Sequence, residues 1–208
     1  MYLSKLVLPL LDRKNQRLLA NPYRLHQAIM FAFPHREQGG AGRLLFRHEP
    51  EQDQGYAKIL VQSEAMPNWE APTLIEHISL AEVPPVKRLQ LKLDPGMLLR
   101  FRLRANPTVK KDGKRRALLR EEELLNWLDR KLTAAGFKLQ TAATFSEGQV
   151  KAIRSNKGPE GTPMVFNSVR FEGVVQVKDE AKALKSLDDG LGSAKAFGFG
   201  LLSLMPLR

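Results

Sequence analysis

The stretch MLLRFRLRANP, residues 97–107, narrows most what this chain can fold into. Leu99, Phe101 and Leu103 alternate with Arg100, Arg102 and Arg104, and residues two apart share a face in a strand. Such a strand needs sheet neighbours and a layer packed on its apolar face, with three arginines lining the other. Next, EEELLNWLDRKLTAAG sets Leu124, Leu125, Leu128 and Leu132 at helical spacing, with acids first, bases later and Gly136 as the stop. FKLQTAA, GQVKAIR and MVFNSVRFEGVVQV read as strands, the last two joined by SNKGPEGTP. Asp179 caps a helix through Leu187, and FGLLSLMP closes as a strand.

The first half has the same order. YLSKLVLP (2–9) suits a strand, and Asn21 caps a helix whose first position, Pro22, has its φ already set. Leu25, Ile29 and Phe33 form its buried stripe, and it stops before Pro34. RLLFRHE (43–49) and YAKILVQS (56–63) follow as strands, and a short turn near 71–77 with a returning strand completes the unit. Two tandem ferredoxin-like βαββαβ units in an α+β chain fit 208 residues that are 43% hydrophobic. The expected division is 1–86, a linker at 87–96 marked by nearby prolines and Gly96, and 97–208.

Several classes drop out. The apolar run Leu6–Leu11 is broken by Pro9 and falls far short of the roughly 20 residues of a membrane span. No secretory signal is visible. The absence of cysteine excludes disulfides, thiolate nucleophiles and cysteine-based zinc sites, and suits a reducing cytoplasm, the expected location. His26, His35, His48 and His77 have no HExxH spacing, so no metal site and no cofactor are expected.

The formal charge is +11, which points to a polyanionic partner, nucleic acid ahead of an anionic membrane. Nine bases lie between Arg100 and Arg120 against one acid, Asp112. Arg102, Arg104, Lys110, Lys111, Lys114 and Arg115 are therefore candidate phosphate contacts, against the plainer reading of a solvated face and loop. Lys151, Arg154 and Lys157 lie on the hairpin around SNKGPEG and could straddle a phosphate ridge. In GLGSAKAFGFG, Gly190, Gly192, Gly198 and Gly200 surround Lys195, yet the spacing fits neither a dinucleotide fingerprint nor a P-loop. Glycines there allow close backbone approach, either to RNA phosphates or to the protein's own sheet.

No GxSxG elbow and no paired-carboxylate pattern appear, which leaves Tyr23 and His26. At i and i+3 they are neighbours on the surface of a helix, near an N-terminus whose free amides attract phosphate. That combination suits acid-base work on a phosphodiester, and RNA supplies its own nucleophile, the 2′-hydroxyl. The competing reading is a histidine that only packs beside a core stripe. A non-catalytic RNA-hairpin-binding subunit of a ribonucleoprotein would share every basic feature without needing Tyr23 and His26. A DNA-binding architectural protein would have no preference for a 2′-hydroxyl.

The motifs YLSKLVL, NPYRLHQ, VQS, FRLRANP, NWLDRKL, VRFEGVVQV and GLGSAKAFGFGLLSL run nearly end to end. Together they resemble the CasE endoribonucleases of type I-E CRISPR systems, in the RAMP group. The resemblance implies a tandem ferredoxin-like fold that binds the repeat hairpin of precursor CRISPR RNA and cuts at its 3′ base without metal. The products would be a 2′,3′-cyclic phosphate and a 5′-hydroxyl. The implied partners are that hairpin, mature crRNA and other Cascade subunits, with a monomer when free. The family's catalytic histidine falls on His26 and its companion tyrosine on Tyr23, with the base and acid roles left open. Some relatives carry a base directly after the histidine, where this chain has Gln27. The glycine-rich loop would shape the RNA-facing surface, and the hairpin near Arg154 would reach the stem.

Overall fold

The computed structural model describes residues 1–50, 55–154 and 163–207. Contact density divides the chain into two compact units: Met1–Gln90 with Lys151–Val165 and Ala196–Gly198, and Leu91–Val150 with Phe166–Lys195 and Phe199–Arg208.

In the first unit, β1 (Tyr2–Pro9) pairs antiparallel with β3 (Tyr56–Ser63) and with the short β4 (Val86–Arg88), while β2 (Leu44–His48) pairs with β3. The sheet order is therefore β2-β3-β1-β4, the fourth-first-third-second order of a ferredoxin-like unit. Leu6 and Leu8 of β1 alternate with exposed or half-buried residues, and they sit opposite Ile59 and Ala57 of β3. Leu18, Leu25, Ile29, Leu74 and Ile78 close over these strands in one core, supplied by α1 (Arg13–Leu19), α2 (Pro22–Met30), α3 (Pro72–His77) and the residue after it. β4 begins at Val86, so pairing with β1 runs into the stretch read as linker.

Helix α1 has no counterpart in the sequence reading. It is seven residues long and buries only Asn15 and Leu18, so it leaves no apolar periodicity to detect. Polar bonds hold it instead. Asp12 caps it, accepting from the Lys14 and Asn15 amides, and also accepts from the Ser79 hydroxyl. The fully buried Asn15 amide donates to the Pro9 and Ser79 carbonyls and accepts from the Ser79 amide.

In the second unit, β5 (Leu98–Ala105) lies between β10 (Leu202–Pro206) and β9 (Pro163–Val177), with β8 (Phe137–Ile153) beyond β9. The order β10-β5-β9-β8 repeats that of the first unit, and α4 (Glu121–Ala134) and α5 (Glu180–Asp189) fill the two helical positions. Leu99, Phe101 and Leu103 are buried as their alternation requires, and Leu103 faces Phe171 across the pair. Trp127 of α4 stacks on Phe171 with ring centroids 5.9 Å apart. FKLQTAA and GQVKAIR, expected as two strands, form one 17-residue strand, because the intervening TFSE continues the extended pairing. Gly173 explains how β9 can run so close to β8: a Cβ there would collide with the Thr141 carbonyl oxygen. Between β5 and α4, KKDGKRR, whose plainer reading is a solvated loop, is a two-stranded ribbon of β6 (Thr108–Lys111) and β7 (Lys114–Ala117). Asp112 and Gly113 turn it with φ of 51° and 75°, the positive pair that a two-residue hairpin turn demands. Among the described residues, no helix is long and apolar enough to cross a membrane.

One buried bond tests how the first unit is held. The Trp69 indole N–H donates to Ser4 Oγ at 3.0 Å, and both residues are buried. Ser4→Ala leaves that N–H without an acceptor and should lower stability by about 1–3 kcal/mol. Urea denaturation reads the loss, and an unshifted midpoint would mean the indole finds another acceptor.

Candidate active site

Helix α2 carries Tyr23 and His26, and its local sequence dictates how. Asn21, with φ −138° and ψ 99°, is the N-cap; its Oδ1 accepts the Tyr23 amide at 3.2 Å, and Pro22 occupies the first helical position. Leu25, Ala28 and Ile29 are buried and fix the helix's rotation, which leaves Tyr23 and His26 half-buried and Arg24 and Gln27 exposed. Met30 ends the helix, earlier than Pro34 alone requires.

Two aromatic side chains flank the pair. The His26 ring lies parallel to Phe46 of β2, with centroids 6.1 Å apart and planes at 18°. Tyr23 lies 5.9 Å from Phe197, in the segment 196–198 that belongs to the same unit. The Arg154 guanidinium sits over the Tyr23 ring, 5.8 Å from its centroid. Gly198 passes so close to Phe46 that a Cβ would sit 3.1 Å from the ring, and its φ of +81° is one that glycine adopts without strain.

His26 Nδ1 is buried and has no hydrogen-bond partner. An imidazolium needs acceptors for both ring N–H groups, and burial takes away the water that would serve. Desolvation accordingly lowers the His26 pKa below its ordinary value of 6.5, so the ring is neutral near pH 7. Among the described residues, no three His, Asp or Glu side chains are arranged to hold a metal ion.

The basic candidates separate into three settings. Lys110, Lys111, Lys114 and Arg115 are all exposed on the ribbon, where Lys110 faces Arg115 and Lys111 faces Lys114 across the strands. Like charges directly opposite destabilise a hairpin, so this placement is a stability cost that binding an anion would offset.

Arg102 and Arg104 are instead engaged internally. Arg102 Nε lies 2.7 Å from Glu172, and Arg104 Nε donates to Glu147 Oε2 at 2.6 Å. Arg170 bridges Glu147 and Glu172, lies over the Phe145 ring, and completes a lattice on this sheet face. The row expected to face phosphate is thus partly neutralised by acids on neighbouring strands. Glu147 and Glu172 are isolated in the sequence and become neighbours of the arginines only through strand register.

Lys151 and Arg154 are exposed at the end of β8, and Lys157 lies outside the described residues. Lys195 is half-buried in a 3₁₀ turn. The glycine-rich loop packs on protein: Gly190 is buried after α5, a Cβ on Gly192 would meet the Trp127 ring at 3.3 Å, and one on Gly200 the Leu191 carbonyl at 2.8 Å. Of the two uses open to these glycines, the geometry supports close packing within the protein. Phe46 and Phe197 escaped the sequence reading, although Phe197 lies inside the glycine motif itself.

Comparison with known proteins agrees over the whole length. The family model described as CRISPR associated protein matches residues 1–206. The CRISPR-associated endoribonuclease Cse3 of Thermus thermophilus is 37% identical over 215 residues, covering 99% of this chain and all of that protein. The CRISPR system Cascade subunit CasE of Escherichia coli is 33% identical over 220 residues, covering both chains fully. A structure of Thermus thermophilus Cse3 bound to an RNA representing a pre-cleavage complex superimposes with a TM-score of 0.83 at 34% identity, covering 99% of this chain and 98% of that one. With the sheet order repeated in both units and the likeness unbroken from end to end, the chain belongs to the CasE family of CRISPR-associated proteins.

Proposed function

We propose that this protein is an endoribonuclease that binds the repeat hairpin of precursor CRISPR RNA and cleaves once at the hairpin's 3′ base. Its relatives are named as an endoribonuclease and as a Cascade subunit, and one is captured with RNA before cleavage. The observation that carries the reading is the neutral, half-buried His26 stacked on Phe46, one helical turn from Tyr23.

The chemistry follows from those two side chains. Nδ1 of His26 is enclosed, so proton transfer falls to Nε2. A ring kept neutral by burial is suited to accept the proton of the 2′-hydroxyl as that oxygen attacks the adjacent phosphorus. The P–O5′ bond breaks and the leaving 5′-oxygen takes up a proton, from water or from the imidazolium just formed, giving a 2′,3′-cyclic phosphate and a 5′-hydroxyl, with no step that calls for a metal. Tyr23, steadied by Phe197 and Arg154, offers its phenol to the phosphate or the 2′-hydroxyl. The exposed ribbon and the Lys151 and Arg154 end of β8 supply phosphate contacts, and RNA hairpins are held mostly by shape and charge. The product crRNA and other Cascade subunits are the partners in this reading, and the cysteine-free chain acts in the cytoplasm.

The direct test incubates the protein with a labelled repeat hairpin in EDTA and maps the ends. His26→Ala should slow cleavage by about 10²- to 10⁴-fold and leave hairpin affinity nearly intact. Replacing the 2′-hydroxyl upstream of the cut with hydrogen should abolish the reaction, and cutting of that deoxy hairpin would sink the mechanism.

The pH dependence has a definite sign. His26 must be neutral to accept a proton, and its pKa lies below 6.5 in the folded protein. On the acid side, kcat/KM for the free enzyme should therefore hold as pH falls through 6.5 and decline only below it. An acid limb centred above 6.5 contradicts a base role. The same shift makes the unfolded chain bind more protons in that window, so the histidine's contribution to stability is present above 6.5 and is lost as pH falls through the lowered value.

The ribbon should dominate the salt response. Neutralising Lys110, Lys111, Lys114 and Arg115 together should flatten the slope of log affinity against log salt by up to about 0.7–0.9 per lost phosphate contact. Filter binding over a salt series measures it, and an unchanged slope places the RNA on another face.

A further inference from the structure

Asn21 makes more bonds than a helix cap requires. Besides accepting the Tyr23 amide at 3.2 Å, its Oδ1 accepts the Ile153 N–H at 3.4 Å, and its Nδ2 donates to the Ile153 carbonyl at 3.0 Å. The carboxamide thus pairs with both backbone groups of Ile153, as a residue of a neighbouring strand would. Ile153 is the last residue of β8 and lies 132 positions away in sequence, within the same compact unit as Asn21.

The backbone of Asn21 is fixed as well. Its amide donates to Leu18 O at the end of α1, and its carbonyl accepts from Arg24 and Leu25. A side chain so placed can set the register between the first turn of α2 and the end of β8. Tyr23 lies two residues past one partner, and Arg154 lies one residue past the other. These are the two groups whose ring and guanidinium meet at 5.8 Å.

We propose that Asn21 is a positioning residue for RNA cleavage: by pairing with the Ile153 backbone it holds Arg154 over Tyr23 and so orients the phenol toward the scissile phosphate. The proposal rests on the endoribonuclease reading. Asn21 itself does not touch the reacting atoms; it acts through Tyr23 and Arg154, so its loss should appear in the chemical step.

Two substitutions separate the tie from the cap. Serine caps a helix about as well as asparagine but is too short to reach Ile153. Aspartate keeps the cap and the acceptor for the Ile153 N–H, and sets a carboxylate oxygen against the Ile153 carbonyl where a donor stood. Single-turnover cleavage of the repeat hairpin at saturating protein is measured for each, with the Kd of the 2′-deoxy hairpin and the thermal midpoint alongside.

Asn21→Ser and Asn21→Asp should each slow cleavage about 10-fold, with the Asn21→Ser Kd within about two-fold of wild type and its midpoint unmoved. Combined with Arg154→Ala, Asn21→Ser should slow the reaction less than the product of the two single effects, because both act on one contact. Wild-type rates in Asn21→Ser, a loss carried wholly by Kd, or a multiplicative double mutant would overturn the proposal. A wild-type protein that leaves the hairpin intact is a different result, since it overturns the endoribonuclease reading and this one with it.

Discussion

The constraint on which the rest depends is the central position of β1 and β5. Each is paired on both edges, β1 by β3 and β4, and β5 by β9 and β10. A strand in that position has no free edge and must place one face in a core, so alternate residues are committed to packing. In the first unit that face is closed by the buried stripe of α2, Leu25, Ala28 and Ile29. Once those three are inside, residues 23 and 26 can lie only at the rim of the core, half in and half out. The site is therefore a by-product of core geometry: the same rotation that buries Ile29 brings His26 against Phe46.

That rim position accounts for the state of the His26 ring. A fully exposed histidine would titrate near 6.5 and be partly charged at neutral pH, and a fully buried one could not meet a substrate. Here the ring is desolvated enough to lower its pKa, and its Nδ1 is closed off. Gly198 contributes indirectly, since a Cβ there would sit 3.1 Å from the Phe46 ring at a φ of +81°, and glycine lets the 196–198 segment lie against Phe46 with Phe197 beside Tyr23 without that strain. The glycine motif, whose spacing fits no nucleotide loop, packs within the protein beside Tyr23 and His26.

Much of this was legible in the sequence because period and punctuation are local signals. The alternation in LLRFRLRA, the cap and proline at Asn21 and Pro22, and the acid-first pattern of α4 each sit within a dozen residues, and each element begins where it was expected, although α2 ends at Met30 and leaves Phe33 buried beyond the helix. The signal for β6–β7 was also present, since Asp-Gly between basic residues is a hairpin turn. What the sequence could not show depends on register between distant segments. Glu172 lies directly opposite Arg102 through the β5–β9 pairing, and Asn21 meets Ile153 across 132 residues. Helix α1 was hidden for another reason: buried polar bonds of Asn15 hold it, and they carry no periodicity.

Register also decides which cations are available to RNA. A guanidinium bonded through Nε to a carboxylate at 2.6–2.7 Å has much of its charge offset by that acid, which also repels an approaching phosphate, even though its Nη hydrogens can still donate. Arg102 and Arg104 are in that position, and Arg170 ties their two acids together. Their alternation with Leu99, Phe101 and Leu103 made the strand recognisable, yet their charge is largely spent inside the sheet face. The ribbon is the opposite case: its like charges face one another and are exposed, and Asp112 at its turn lies 3.6 Å from Arg116. Of two arrays that look alike as counts of Lys and Arg, the one that weakens its own hairpin has the charge left to give to a phosphate backbone.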